Sequence, residues 1–117
     1  MTDLLEALYR GDDERVSELL AGEPELNVFE AAAFGRTERL RELLDEDPSQ
    51  ANAFGDDGFQ PLGLACFFGH VEAARLLLDR GADPNLEQGG GFTALDSARQ
   101  NGDERLERLL LDRGAGG

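Results

Sequence analysis

The sequence has few histidine and cysteine residues, which supply the usual ligands of zinc sites and the thiols of disulfide bonds. It contains no tryptophan, no lysine, one histidine and one cysteine in 117 residues. His70 and Cys66 are too few ligands for a zinc site, and a lone thiol cannot form an internal disulfide bond. We therefore expect no metal, and an unpaired thiol suits the reducing cytoplasm.

Long apolar runs and a targeting signal are also missing. No stretch approaches the roughly twenty apolar residues that a membrane-spanning helix needs. The N-terminal sequence Met-Thr-Asp-Leu-Leu-Glu is acidic and lacks the basic and apolar regions of a signal peptide. We expect no contact with a membrane, and a length of 117 residues predicts one domain.

Positive charge is scarce. Twenty-five acidic residues stand against eleven basic ones, all of them arginine, and the formal net charge is −14. Such a chain repels phosphate backbones, and no basic stripe offsets the repulsion, so we expect no nucleic acid as partner. Abundant acid without lysine is typical of proteins from GC-rich bacteria and also of halophilic proteins, and the sequence leaves both origins open.

No constellation of residues indicates catalysis or a cofactor. Residues 56–58 (Asp-Asp-Gly) lack the alternating ligands and the final glutamate of a calcium loop. Residues 89–91 (Gly-Gly-Gly) are not followed by the Lys-Ser/Thr pair of a phosphate-binding loop. Both segments are better explained as turns, and His70 as a structural residue. The sequence therefore predicts a protein that is not an enzyme and has no cofactor.

What the sequence does contain is a repeat. The segment at 76–82 (Leu-Leu-Leu-Asp-Arg-Gly-Ala) returns unchanged at 109–115, and Gly69 is repeated by Gly102 at the same interval of thirty-three positions. Self-similarity at this period predicts stacked supersecondary units, none of which can bury its apolar face alone.

The repeated pattern resembles the ankyrin repeat family. The matching residues are Gly69-His70, Leu76-Leu77-Leu78 and Gly81-Ala82-Asp83 followed by Asn85. The sequence departs from the family at Gln60, where the family has threonine, and at Gly63, where it has histidine. Weaker copies of the pattern occur around Gly11 and Gly35, at an interval shorter than the full period. The connection between these two copies is therefore long enough only for a tight loop. The resemblance covers nearly the whole chain, is most specific from residue 52 onward, and is to short ankyrin repeat proteins of the bacterial type.

This resemblance implies an all-α solenoid of four ankyrin-like helix pairs with two hairpin fingers, in one domain with units at about 1–23, 24–51, 52–84 and 85–117. The expected pairs are 2–9 with 12–21, 27–34 with 36–45, 61–68 with 71–79, and 94–101 with 103–112. Spacings of three and four residues predict one buried face on each second helix. Its residues are Val16, Leu19 and Leu20; Leu40, Leu43 and Leu44; Ala74, Leu77 and Leu78; and Leu106, Leu109 and Leu110.

The resemblance also implies where a partner binds. Ankyrin-like proteins use finger residues and the two residues before the glycine that ends each first helix. Carried onto this sequence, these positions give the protein-binding residues Tyr9, Arg10, Phe34, Asp56, Asp57, Phe59, Phe67, Phe68, Phe92, Gln100 and Asn101, with Ala33, Gly89 and Gly90 at further positions of the same kind.

Aromatic side chains are concentrated at these positions, and such residues are enriched at interface hot spots. Phe54 lies beside the same surface, and only Phe29 is expected in the core. Phe34 and Phe68 can equally fill grooves between repeats, and this alternative stays open.

Three functions are consistent with these features. The leading hypothesis is a monomeric adaptor or inhibitor that binds one protein partner on the concave face, with a basic rim on the partner to match the acidic fingers. A second is an acidic inhibitor or immunity-type regulator of a basic enzyme. A third is a self-associating protein that forms a dimer through Leu106, Leu110 and Leu111 of the last helix.

Overall fold

The computed structural model describes residues 2–55, 58–88 and 91–116. Over these ranges the chain forms eight α-helices, one 3-10 helix and no β-strand. The helices pair as α1 (Asp3–Tyr9) with α2 (Asp13–Ala21), α3 (Val28–Ala33) with α4 (Thr37–Glu46), α5 (Pro61–Phe67) with α6 (Val71–Asp79), and α7 (Ala94–Gln100) with α8 (Glu104–Asp112). The predicted all-α stack of four helix pairs is confirmed.

Short polar side chains fix the starts of most helices. Asp12 accepts a hydrogen bond from the Arg15 N–H at the start of α2, and Asp103 accepts one from the Leu106 N–H at the start of α8, each at 3.1 Å. Asn27 caps α3 in a reciprocal capping box. A capping residue satisfies a backbone N–H that the helix leaves free. Several helices therefore begin one residue later than the sequence predicted.

A short 3-10 helix, Pro48–Asn52, was not predicted. Proline occupies its first turn, and Asp47 accepts hydrogen bonds from both the N–H and the hydroxyl of Ser49. The element is too short to show an apolar period, so the pattern could not reveal it. It packs against α4 and α5 and buries Ala51 between units.

The helix pairs stack in two rows. The first helices follow one another as α1, α3, α5 and α7, and α6 packs between α4 and α8 in the second row. Small side chains allow the first helices to approach closely: Ala31, Ala32, Ala65 and Ala98 are fully buried. Each buried leucine of the second row contributes roughly 1.5–3 kcal/mol. The core is therefore a continuous layer between the rows.

The buried face of the second helices matches the prediction in α4 and α8 and differs in α6 and α2. In α6, Leu78 is half-buried, whereas Ala73 and Leu76 are buried together with the predicted Ala74 and Leu77. This helix has a neighbour on each side, so its buried face is wider and rotated. In α2, at the end of the stack, no residue is buried, and Val16, Leu19 and Leu20 are all half-buried.

The predicted dimer contact on the last helix is wrong for two of its three residues. Leu106 and Leu110 are fully buried in the core, because the face of α8 that carries them packs against α7 and α6. Only Leu111 is exposed, with 44% of its surface accessible. One exposed leucine does not make an apolar face for a second copy.

Asparagine side chains bridge successive units with the period of the sequence. The Asn52 side-chain amide donates to the Gly81 carbonyl at 3.0 Å, and its Oδ1 accepts from the Asp83 N–H at 2.7 Å. At the equivalent position of the next unit, Asn85 makes the same pair of contacts with Gly114 and Gly116. The repeat therefore extends to individual hydrogen bonds between units.

The position of α8 can be tested with two neighbouring leucines. Leu110→Ala should lower the free energy of unfolding by about 2–5 kcal/mol, because it leaves a cavity in the core. Leu111→Ala should cost less than about 1 kcal/mol, since this side chain is exposed. Chemical denaturation of both variants is the measurement, and equal losses would contradict this orientation of α8.

Candidate functional site

Most of the predicted binding residues lie at the C-terminal ends of the first helices. Tyr9, Phe67 and Gln100 are the last residues of α1, α5 and α7, and the residues after them are C-caps. Phe34 is the C-cap of α3. Because these helices stack side by side, their ends form one edge of the molecule. Asp56, Asp57, Gly89 and Gly90 lie outside the described residues.

The two predicted fingers follow in the chain beside this edge. Their described parts have the same pair of backbone hydrogen bonds. In the first, residues 53–60, the Gly55 N–H donates to the Phe59 carbonyl at 2.9 Å and the Gly58 N–H to the Gly55 carbonyl at 3.0 Å. In the second, residues 86–93, both bonds recur at the equivalent positions, from Gln88 to Phe92 and from Gly91 to Gln88.

Four aromatic rings meet where the first finger crosses the helix ends. We call Tyr9, Phe59, Phe67 and Phe68 the aromatic cluster. Phe67 and Phe68 pack edge to face with ring centroids 4.9 Å apart, and Phe59 lies 6.4 Å from Phe67. Tyr9 lies 6.1 Å from Phe68 with nearly parallel planes, and 6.3 Å from Phe59. The cluster therefore joins residues of the first and third units.

Ala33 explains how Tyr9 reaches the third unit. Tyr9, Ala33 and Phe67 each lie two residues before the glycine that follows their helix, so they are equivalent positions of successive units. Ala33 has only a methyl group and is buried. At the position equivalent to Tyr9 and Phe67, the second unit thus has only a small, buried side chain. Sequence reasoning identified Tyr9 and Phe68 but not their contact, since repeat equivalence alone places them two units apart.

The rings of this surface differ in exposure. Phe54, Phe67 and Phe92 expose 53%, 45% and 51% of their surface. Phe34, Phe59 and Phe68 are half-buried and pack against the core, so the groove-filling alternative applies to them in part. Phe29 was expected in the core but is also only half-buried, because Val28, Ala31 and Ala32 occupy the buried positions of that short helix.

Polar side chains hold the helix ends in place. The Asn101 Nδ2 donates to the Phe67 carbonyl at 2.7 Å. The His70 Nε2 donates to the Ala33 carbonyl at 2.8 Å, and the ring lies over Gly35. A Cβ on Gly35 would lie 2.6 Å from His70 Nδ1, and its φ of +66° also favours glycine. These contacts support the structural role predicted for His70.

A buried glutamine pair secures the bases of both fingers, and sequence reasoning missed it. The Gln88 Oε1 accepts from the Gln60 N–H, and its Nε2 donates to the Gln60 Oε1 at 2.7 Å. Gln60 and Gln88 are buried, and a Cβ on Gly63 would lie 2.6 Å from Gln88 Cδ. Gly63 therefore makes the space that Gln88 fills. The sequence signal for this pair was the two departures from the family pattern, at Gln60 and Gly63.

Two arginines near the described helix ends are paired with carboxylates. Arg10, at the end of α1, lies 2.6 Å from the Glu6 carboxylate, and Arg99 on α7 lies 2.9 Å from that of Glu107. These two arginines are therefore partly neutralised by carboxylates of their own chain.

The Cys66 thiol lies beneath this surface and is fully buried. Burial, with a smaller contribution from the Asp103 carboxylate, raises the pKa of this thiol from 9.0 to about 12. The thiol is therefore neutral and unreactive at physiological pH.

Within residues 2–55, 58–88 and 91–116, no group of three or more His, Cys, Asp or Glu side chains could hold a metal ion. Over the same ranges, no helix is long and apolar enough to span a bilayer.

Comparison with known proteins gives one family. The family model of ankyrin repeats (3 copies) matches residues 4–88 and 28–116. Ankyrin repeat and SAM domain-containing protein 6 of Rattus norvegicus is 34% identical over 90 residues, which are 76% of this chain and 10% of that protein. DNA-binding protein RFXANK of Homo sapiens is 38% identical over 77 residues, 66% of this chain and 29% of that protein. The chain thus spans less than a third of the length of these relatives.

The glutamine pair predicts that Gly63→Ala changes the free energy of unfolding in the direction opposite to the usual one. In a helix interior, Gly→Ala normally stabilises by roughly 0.5–1 kcal/mol. Here Gly63→Ala should destabilise the protein, because the new methyl group collides with Gln88. In a Gln88→Ala background the same change should stabilise it. A double-mutant cycle by chemical denaturation measures both, and a Gly63→Ala effect of the same sign in the two backgrounds would contradict the packing.

The raised pKa of Cys66 predicts a loss of stability in alkali. Above pH 9 the unfolded chain loses the thiol proton, whereas the folded chain keeps it until about pH 12. Unfolding is therefore favoured as pH rises between these values. From pH 8 to pH 10 the wild type should lose about 1.4 kcal/mol more of its unfolding free energy than Cys66→Ala. Equal losses in the two proteins would show that the thiol titrates normally.

Proposed function

Because the chain belongs to the ankyrin repeat family, we propose that it binds one protein partner on the surface formed by its fingers and first-helix ends. Ankyrin repeats are general protein–protein interaction modules, and this statement applies to the chain as a member. The main observation that supports this choice of surface is the exposure of the Phe54, Phe67 and Phe92 rings. Large apolar side chains grouped on one face are typical of interaction sites.

The proposed binding residues fall into an aromatic centre and a polar margin. The centre is the aromatic cluster, with Phe34 beside it and Phe54 and Phe92 on the fingers. The margin consists of Arg10, Gln100 and Asn101, with Asp56 and Asp57 assigned from the sequence alone. The aromatic centre supplies apolar area at small entropic cost, and the margin sets orientation.

The partner we propose is a protein with an apolar centre and a basic rim. The chain carries a net charge of −14, and its finger segments 53–60 and 86–93 contain three acidic residues and no base. Charge complementarity speeds encounter and selects a basic partner. One relative is named a DNA-binding protein. For this chain we propose a protein rather than a nucleic acid, because the same charge repels phosphates.

The proposed role is non-catalytic and cytoplasmic, carried out by a monomer. The one thiol is buried with a raised pKa, and the one histidine is engaged with a backbone carbonyl. Neither is placed to act as a nucleophile or a general base toward a bound substrate. Leu106 and Leu110 are buried, so they are not available for the predicted dimer contact. This favours the monomer.

A second candidate function is inhibition of a basic enzyme. The excess of carboxylates over arginines and the ion pairs that occupy Arg10, Arg80, Arg99 and Arg113 support it. An inhibitor would abolish the activity of the captured enzyme in a stoichiometric mixture, whereas an adaptor would leave it unchanged.

The test of the proposed surface is affinity capture from the native host with matched variants. Phe67→Ser with Phe92→Ser should reduce recovery of the specific partner at least about tenfold, because both rings lie at the proposed contact. Leu111→Ser is the control, since this side chain has nearly the same exposure as Phe67 but lies on α8. Thermal unfolding of each variant confirms that it is folded.

Two outcomes would contradict the proposal. One is undiminished capture by the double variant. The other is an equal loss in Leu111→Ser, which would place the contact on a different side of the stack.

A further inference from the structure

The aromatic cluster has an exposed ring whose neighbours meet it at an angle. Phe67 exposes 45% of its surface, and its plane is inclined by 79° to Phe68 and by 61° to Phe59. In such edge-to-face contacts the rings present both positive edges and negative faces. The negative face of an aromatic ring attracts a cation, and arginine is the cation most often found there.

The described helix ends offer the cluster no free cation of this chain. Among the last residues and C-caps of α1, α3, α5 and α7, Arg10 is the one base, and Glu6 pairs with it at 2.6 Å. Arg99, the next base along α7, is paired with Glu107. Arg36 belongs to the start of α4, where it lines a separate groove. The finger sequences 53–60 and 86–93 contain three acidic residues and no base, so the charge of these segments is complementary to a cation.

The Asn101 side-chain amide lies beside the backbone of Cys66 and Phe67. Asn101 uses its Nδ2 to donate to the Phe67 carbonyl, which fixes the side chain beside this residue. Its Oδ1 accepts no hydrogen bond from the described residues. A planar guanidinium can stack on an aromatic face and donate to a neighbouring acceptor at the same time, which an ammonium group cannot do as well.

We propose that the aromatic cluster receives an arginine side chain of the partner, stacked on Phe67 and donating to the Asn101 Oδ1. This inference rests on the proposed function, because it assumes that the partner docks on this surface, and it specifies the chemistry of the central contact. The occupant is an arginine within a basic segment of a protein.

The test uses two short peptides that differ only in charge. Acetyl-Gly-Arg-Gly-amide and its citrulline counterpart have the same shape and nearly the same hydrogen-bonding groups. Each is titrated into the ¹⁵N-labelled full chain at about 0.3 M salt, which screens non-specific attraction to acidic surfaces. The arginine peptide should shift the amide signals of Phe67, Phe68 and Asn101 and bind about two- to fivefold more tightly than the citrulline peptide.

Matched variants assign the preference to the ring. Phe67→Leu keeps the apolar bulk and removes the aromatic face, so the ratio of the two affinities should fall to about one. Phe29→Leu removes a ring of α3 that lies outside the cluster and outside the proposed binding residues, and it should leave the ratio unchanged. Equal binding of the two peptides to the wild type, a preference that survives in Phe67→Leu, or signal shifts confined to other parts of the chain would each overturn the inference.

The same variants separate this inference from the proposed function. If Phe67→Leu captures the partner as well as the wild type does while Phe67→Ser with Phe92→Ser loses it, the surface binds through apolar contact and the arginine assignment fails alone. If neither partner capture nor peptide binding depends on the aromatic rings, both proposals fail.

Discussion

Each helix pair of this protein has an apolar side that can be removed from water only by another pair. Leu40, Leu77 and Leu106 are inaccessible to solvent because a neighbouring unit covers them. The first pair shows the limit of this arrangement: α2 has neighbours on one side alone, and none of its residues is buried. Stacking also places the ends of the first helices in a row, and that row is the surface proposed for binding.

Burial of apolar side chains does not by itself fix how neighbouring units are positioned. Polar contacts between the units do so. The asparagine bridges repeat with the period of the sequence and connect each described finger base to the end of the next second helix. The glutamine pair takes the place of the threonine and histidine that this chain lacks at positions 60 and 63. No buried side-chain nitrogen or oxygen in the described part of the chain lacks a partner. The departures from the family pattern are thus compensated locally.

Periodicity was sufficient to predict the helix pairs, because the glycine and leucine positions of the repeat mark their ends and their apolar faces. It did not predict the rotation of α6, since burial of Leu76 rather than Leu78 depends on neighbours in two other units. It could not predict the role of Gln88, whose partners at positions 60 and 63 belong to the preceding unit and are set by the tertiary fold. The contact of Tyr9 with Phe68 was hidden for the same reason, because it joins residues that lie two units apart in the sequence.

Because Tyr9 of the first unit contacts Phe59 and Phe68 of the third unit, the aromatic cluster does not belong to any one repeat. Transplanting the third unit alone into another ankyrin array would carry Phe59, Phe67 and Phe68 but would leave their fourth ring behind. Inserting a complete finger into the second unit would separate the same residues. The number and order of the units are therefore part of this surface, and an evolutionary duplication within the array would change it as surely as a point substitution.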